Sequence, residues 1–219
     1  AIAIYKFEDD VDDVTGNYDA TAGNLSYDSS GKFNKAAEYN GTSSYINVTG
    51  LASMFGSKTS FSFSCWAKTT ASGNRGLFDD YTAQNYNVAF YLYDGVIKLN
   101  SRFNNADTNG TGASDITYND GNWHHFVCTS DKSQYKAYVD GVEVISFTCS
   151  TNSYSGGTCV PTIGGQTHPP ATRYSFWDGD IDQVRIYNKA LTAASVTNLY
   201  NETTAQNSTL DIGTQYQSS

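Results

Sequence analysis

The sequence predicts an all-β domain of short strands joined by polar turns, with one short helix near the C-terminus. Three observations predict it. Apolar residues recur with period two and almost nowhere with the helical period. Asn-Gly and Asp-Gly pairs punctuate the chain at short intervals. The composition, 14% aromatic with 19 glycines and only 16% charged residues, is that of strands and turns. With 219 residues and 39% apolar content, the chain is long enough to bury a core of its own.

The chain opens on Tyr5-Lys6-Phe7 and runs into the acidic stretch Glu8, Asp9, Asp10, Asp12 and Asp13. That stretch lacks the glycine and the closing glutamate of an EF-hand loop, so it reads as a solvated loop that can lend one ligand to a cation. In the next strong strand, Phe61, Phe63 and Cys65 take one face while Ser62, Ser64 and Trp66 take the other. Turn pairs follow at Asn40-Gly41, Asp94-Gly95, Asn109-Gly110, Asp120-Gly121, Asp140-Gly141 and Asp178-Gly179, each able to supply the positive φ of a tight hairpin. The clearest hairpin joins Tyr135–Val139 to Val142–Phe147. The helix is Ala193–Tyr200, with Thr192 as N-cap and Leu191 stapled to Val196. Beyond Tyr200 the chain is polar and without pattern. One domain over residues 1–200 and a tail or linker over 201–219 are expected.

Charge narrows the function classes. With 13 Lys and Arg against 22 Asp and Glu the net charge is -9, which repels phosphate backbones and anionic headgroups. Nucleic acid is therefore not an expected partner. No apolar run reaches the roughly 18 residues of a membrane span, so membrane insertion is not expected. The Asn-, Ser-, Thr- and Tyr-rich composition suits an extracellular setting, whether secreted, cell-surface or virion surface. Of the four cysteines, Cys149 and Cys159 bracket a Ser/Gly-rich segment and can close a surface loop in an oxidising compartment. Cys65 and Cys128 lie inside apolar strand patterns, where a thiol acts as a small hydrophobe. The pairing stays open. No C-x-x-C occurs, and His124, His125 and His168 have no zinc spacing to the cysteines.

Six segments in order resemble a laminin-G-like domain of the concanavalin A-like lectin/glucanase superfamily. They are Tyr5–Asp9, Ala37–Ile46, Phe61–Lys68, Gly121–Val127, Ala137–Gly141 and Gly179–Leu191, the last reading Gly-Asp-Ile-Asp-Gln-Val-Arg-Ile-Tyr-Asn-Lys-Ala-Leu. The resemblance implies a jelly-roll β-sandwich of two curved antiparallel sheets with a convex back and a concave front. It also implies a structural Ca2+ on the convex side, held by Phe7 or Glu8, by backbone oxygen at Asn40 and Gly41, and by the Asp182 carboxylate. Asp182 stands beside Ile181, Val184 and Ile186, where a lone carboxylate is costly unless a cation or Arg185 pairs with it.

Sugars are held by aromatic faces and by carboxylate, amide and guanidinium groups. The middle of the chain offers that chemistry at Asp79, Tyr81, Tyr86, Tyr91, Tyr93 and Arg102, and the end offers it at Tyr174 and Trp177. Catalysis is not expected. The superfamily's glucanases need carboxylates in E-x-D-x-x-E, and none of the four glutamates, at 8, 38, 143 and 202, stands in that pattern. No G-x-S-x-G nucleophile elbow occurs. The six N-x-S/T sequons are close to what chance gives in so Asn-rich a chain. The expected function is a non-catalytic recognition or adhesion domain, calcium-stabilised, that binds a glycan or another surface receptor. The second reading is a structural component that contacts copies of itself or other surface or virion proteins and has no sugar site.

Overall fold

A computed structural model describes residues 1–55, 60–80, 86–102, 110–149, 160–168 and 172–203. Its strands form two antiparallel sheets and one small hairpin. The first sheet holds β1 (Ala3–Tyr5), β3 (Ser26–Asp28), β4 (Ala36–Asn40), β6 (Phe61–Lys68), β11 (His124–Ser130), β12 (Gln134–Val139), β13 (Val142–Thr148) and β17 (Asp178–Tyr187). Its order is β13-β12-β11-β6-β17-β4-β3, with β1 also on β17. The second sheet holds β2 (Thr21–Gly23), β5 (Tyr45–Asn47), β7 (Asn74–Asp79), β8 (Tyr86–Tyr93), β9 (Val96–Arg102), β10 (Gly110–Thr117) and β14 (Thr162–Ile163), ordered β10-β9-β8-β7-β14-β5-β2. The hairpin is β15 (Gln166–His168) with β16 (Thr172–Tyr174), and the helices are α1 (Ala52–Phe55) and α2 (Ala193–Tyr200).

The sandwich follows from alternation. Phe61, Phe63 and Cys65 of β6 face inward, as do Val88, Phe90 and Leu92 of β8 and Ile97 and Leu99 of β9. The two layers meet where Phe63 stacks on Phe78 with centroids 4.5 Å apart and Phe55 sits edge-on to both Phe61 and Phe78 at 5.3 Å. Cys65 and Cys128 are free, buried thiols of this core. Cys159 lies outside the described residues, and with it the expected bridge to Cys149; so do residues 204–219 of the expected tail.

The helix forms where expected: the Ser195 N–H donates to Thr192 Oγ1 at 3.2 Å, and Leu191 packs with Val196. The hairpin at Asp140-Gly141 also forms, with φ of 51° and 81°, and Asp94-Gly95 repeats it at 49° and 82°. The other turn pairs behave differently. Asn109 lies outside the described residues, Asn40 ends β4 and Asp120-Gly121 lies in the connection before β11. Asp178-Gly179 opens β17 instead of turning the chain, because Gly179 serves a close approach: a Cβ there would lie 2.3 Å from the Lys68 carbonyl oxygen. Among the described residues no helix is long and apolar enough to cross a membrane.

Candidate functional site

The outer face of the second sheet is assembled from residues that its strands turn away from the core. Register aligns Asn47, Thr162, Asp79, Ala89, Asn100 and Thr111 in one row across β5, β14, β7, β8, β9 and β10. Tyr91 faces Lys98 in the next row, and Tyr93 faces Val96 in the one after. At the centre of the row Ala89 is the only apolar member, and Tyr91 packs on it. Asn100 Nδ2 donates to the Tyr91 hydroxyl at 2.9 Å, while Thr111 Oγ1 donates to Asn100 Oδ1 at 2.6 Å. Tyr91 is thus held at both ends, its ring on the Ala89 methyl and its hydroxyl tethered one strand away. That leaves an aromatic surface fixed over a polar floor.

One wall of this surface is the β15–β16 hairpin. Gln166 Oε1 accepts from Asn74 Nδ2 at 3.1 Å, and Arg173 lies over the Tyr45 ring, 3.7 Å from its centroid. Gly76 lets the hairpin's root come close, since a Cβ there would lie 2.7 Å from the Gly165 carbonyl carbon. The resulting depression of about 170 Å³ is lined by Asn74, Asp79, Ala89, Tyr91, Asn100, Gln166 and Tyr174.

Of the ligand residues expected from sequence, Asp79, Tyr91 and Tyr174 meet in this depression, and Tyr93 continues its line, 53% exposed. Tyr81 lies outside the described residues. Tyr86 and Arg102 pair with each other in the β8–β9 ladder, and their side chains lie outside the description. Trp177 does not belong: it is wholly buried in the core, so it cannot offer a ring face to a ligand. Asn74, Asn100 and Gln166 escaped the sequence reading. For Asn100 the signal was present, because inward Ile97, Leu99 and Ser101 force residues 98 and 100 outward.

The expected cation ligands divide into two places. β17 pairs with β4 through residues 178–181 and with β1 through residues 184–186, and a bulge separates the two ladders. Asp182 sits at that changeover, fully buried, with Oδ2 accepting from Phe33 N–H at 2.9 Å and Oδ1 making no hydrogen bond. Burial pushes its carboxyl from an ordinary 3.8 up to about 7, held back by the N–H groups of Phe33 and Gln183 and furthered by the Glu8 charge. Arg185 does not pair with it; that guanidinium is bound to Glu202 at 2.5 Å. Glu8 stands nearby, accepting from Asn34 Nδ2 at 3.2 Å and Lys35 N–H at 3.3 Å.

The backbone at this corner is left-handed at four non-glycine residues: Phe7 (60°), Asp9 (84°), Asn34 (58°) and Gln183 (52°). For a bulky residue such as Phe7 that conformation is costly and marks a constrained site. Asn40 and Gly41 are elsewhere. They lie opposite Asp178, four residues along β17 and so about 13 Å from Asp182 at the strand rise. Asn40 Oδ1 is occupied by the N–H groups of Thr42, Ser43 and Ser44. Among the described residues no three His, Cys, Asp or Glu side chains cluster as a metal set. A hard cation at Asp182 and Glu8 would therefore complete its shell with backbone oxygens, a mixture calcium accepts.

His124 and His125 are structural. His124 is clamped by Asp140 on Nδ1 at 2.7 Å and Asp120 on Nε2 at 3.1 Å, and the Asp140 hydrogen bond raises its pKa. His125 Nε2 meets Ser64 Oγ at 2.9 Å in full burial, out of reach of any substrate.

Comparison with known proteins agrees with this architecture. No curated protein matches the chain. Among solved structures, domain 4 of AbnA, a GH43 extracellular arabinanase from Geobacillus stearothermophilus determined with arabinotriose, is 27% identical over 91% of this chain and 97% of its own, with a TM-score of 0.69. The binding domain of Paraclostridial Mosquitocidal Protein 1 (15% identity, TM-score 0.74) and that of botulinum neurotoxin serotype D (14%, TM-score 0.69) each cover 91% of this chain. This chain spans only 51% of either of those structures, whose likeness is one of fold. A laminin G family described as the concanavalin A-like lectin/glucanases superfamily matches residues 40–197, most of the chain, and this protein belongs to that family.

Proposed function

We propose that the protein is a non-catalytic, extracellular carbohydrate-binding domain that holds its glycan on the outer face of the second sheet. The observation that carries this reading is the tethered Tyr91. A ring packed on Ala89 and hydrogen-bonded to Asn100 is ordered before a ligand arrives, so binding does not have to freeze it. Around it, Asn74, Asn100 and Gln166 offer amide donors and acceptors for hydroxyl groups. The AbnA domain, determined with arabinotriose and similar over nearly its whole length, supports a sugar as ligand. A protein receptor is the second reading, and the open second sheet is where either would be met.

Calcium belongs to the same proposal as a structural ion. The orphaned, buried Asp182 Oδ1 and the neighbouring Glu8 carboxylate would hold it, and its charge would neutralise a carboxylate that burial otherwise disfavours. It stands under the core, away from the glycan face, so its effect is on stability.

A glycan array probed with the purified domain, with calcium and again with chelator, tests the reading. Retention of neutral polysaccharide fragments is expected, weakened by chelator only as far as the fold is weakened. A blank array in both conditions would move the function to a protein partner.

A further inference from the structure

We infer that the site is built for an internal stretch of a linear, neutral glycan lying along β8, with Tyr91 and Tyr93 as consecutive platforms. This rests on the carbohydrate reading above and adds to it the shape and charge of the ligand. Residues two apart on a strand share a face at about 6.8 Å, so Tyr91, seated on Ala89, and Tyr93 form two successive footholds along β8. The line stays on the solvent side throughout, because Val88, Phe90 and Leu92 between them are core.

Geometry fixes the direction. A ligand lying across the strands would run into the β15–β16 hairpin at Gln166 and Tyr174. Along β8 nothing of that kind stands in the way at the Tyr93 end among the described residues, where the chain only turns at Asp94-Gly95. Beyond Tyr91 the next row across the strands is Tyr93, Val96 and Thr117, in which a partly exposed Val96 lies opposite Tyr93. That is a second binding position of different character from the amide-lined first. It suits the C–H face of a following sugar, whereas a terminal monosaccharide would leave it empty. Charge selects for neutrality. Lys98 beside Tyr91 is offset by exposed Asp94 and Asp115, and the whole chain carries -9, so a polyuronate or sulfated chain is repelled on approach.

Calorimetric titration of the intact protein with one- to six-unit oligosaccharides from arabinan, galactan, mannan, xylan and β-glucan, together with polygalacturonate fragments, tests this. One neutral series should bind, with affinity rising roughly tenfold between one unit and three as the second platform is engaged. Tyr93→Ala should abolish that increment, and Tyr93→Phe should restore it. Affinity that saturates at one unit, an increment that survives Tyr93→Ala, or preference for polygalacturonate would each overturn the inference while leaving a carbohydrate site in place. Failure of every series to bind would overturn the carbohydrate reading itself, and this inference with it.

Discussion

The two sheets carry the same kind of alternation, yet their outer faces have opposite fates. On the first sheet, α2 closes over the outward residues. Val196 packs with Val127 and Tyr138, Tyr200 stacks on Trp66 with centroids 5.7 Å apart, and Arg185 is locked to Glu202 just past the helix. The outer face there has become a second small core. On the second sheet nothing of this kind covers β8, β9 and β10 among the described residues, and Tyr91, Asn100 and Tyr93 face solvent over a polar floor. An uncovered face with an ordered aromatic is expensive to keep unless something binds it. The difference separates a face closed within the fold from the face proposed to bind.

Breaking the covered face should give the largest effect. Glu202→Gln leaves the Arg185 guanidinium buried without its counter-charge and is expected to cost about 3–5 kcal/mol in denaturant unfolding. Glycan affinity measured below the unfolding transition should be unchanged. A neutral outcome would mean that α2 is not a structural cover.

The buried ionisable groups of the first sheet sharpen the contrast through pH. For Asp182 the carboxyl rises from 3.8 in the unfolded chain to about 7 when folded, so the folded state holds the extra proton between those values. Metal-free protein therefore loses this contribution as pH rises from about 4 to 7, and Asp182→Asn should be the more stable chain at pH 8 but not at pH 4. Added calcium should raise the melting temperature of the wild type at pH 8 and leave Asp182→Asn almost unmoved. Equal calcium responses in the two proteins would remove the ion from this corner. His125 runs the other way. Burial and the Arg185 charge push it down to about 3, so its neutral form stabilises the fold above pH 6.5 and that support is lost as pH falls toward 3. His125→Gln should flatten the acid side of the stability profile.

Much of this contrast was legible in the sequence and part of it was not. The strand at Phe61–Lys68, the Asp140-Gly141 hairpin and the Thr192-capped helix are local, set by alternation, turn chemistry and capping within a few residues. The covering of one face is not local. Nothing in Trp66 or His125 by itself announces that Tyr200 will lie over it. The proposed cation corner was half legible: Asp182 drew attention as a carboxylate among apolar neighbours, but its surroundings depend on a bulge that hands β17 from β4 to β1. Asn40 and Gly41 were drawn in by motif and lie opposite Asp178, a strand's length from Asp182. On the proposed glycan face Tyr91 and Tyr174 came from composition, Trp177 was misplaced because burial cannot be read from one aromatic, and Asn74 and Gln166 depend on where the hairpin folds.

The smallest expected structural effect is at the helix cap, where Thr192→Ala removes the bond to Ser195 N–H and should cost about 1 kcal/mol. A much larger loss would mean that α2 carries more of the fold than its contacts indicate.

The central claim is that the open face binds and the covered face holds. It is tested most directly by measuring Tyr91→Ala against the strongest array glycan, with its melting temperature taken alongside. The account predicts affinity weaker by about tenfold or more, as for the loss of a central aromatic anchor, and a protein that stays folded with stability lowered by about 1–2 kcal/mol through the lost packing on Ala89 and the lost bond to Asn100. Unchanged affinity, with the protein folded and the glycan bound, would place the ligand elsewhere on the molecule and contradict the assignment.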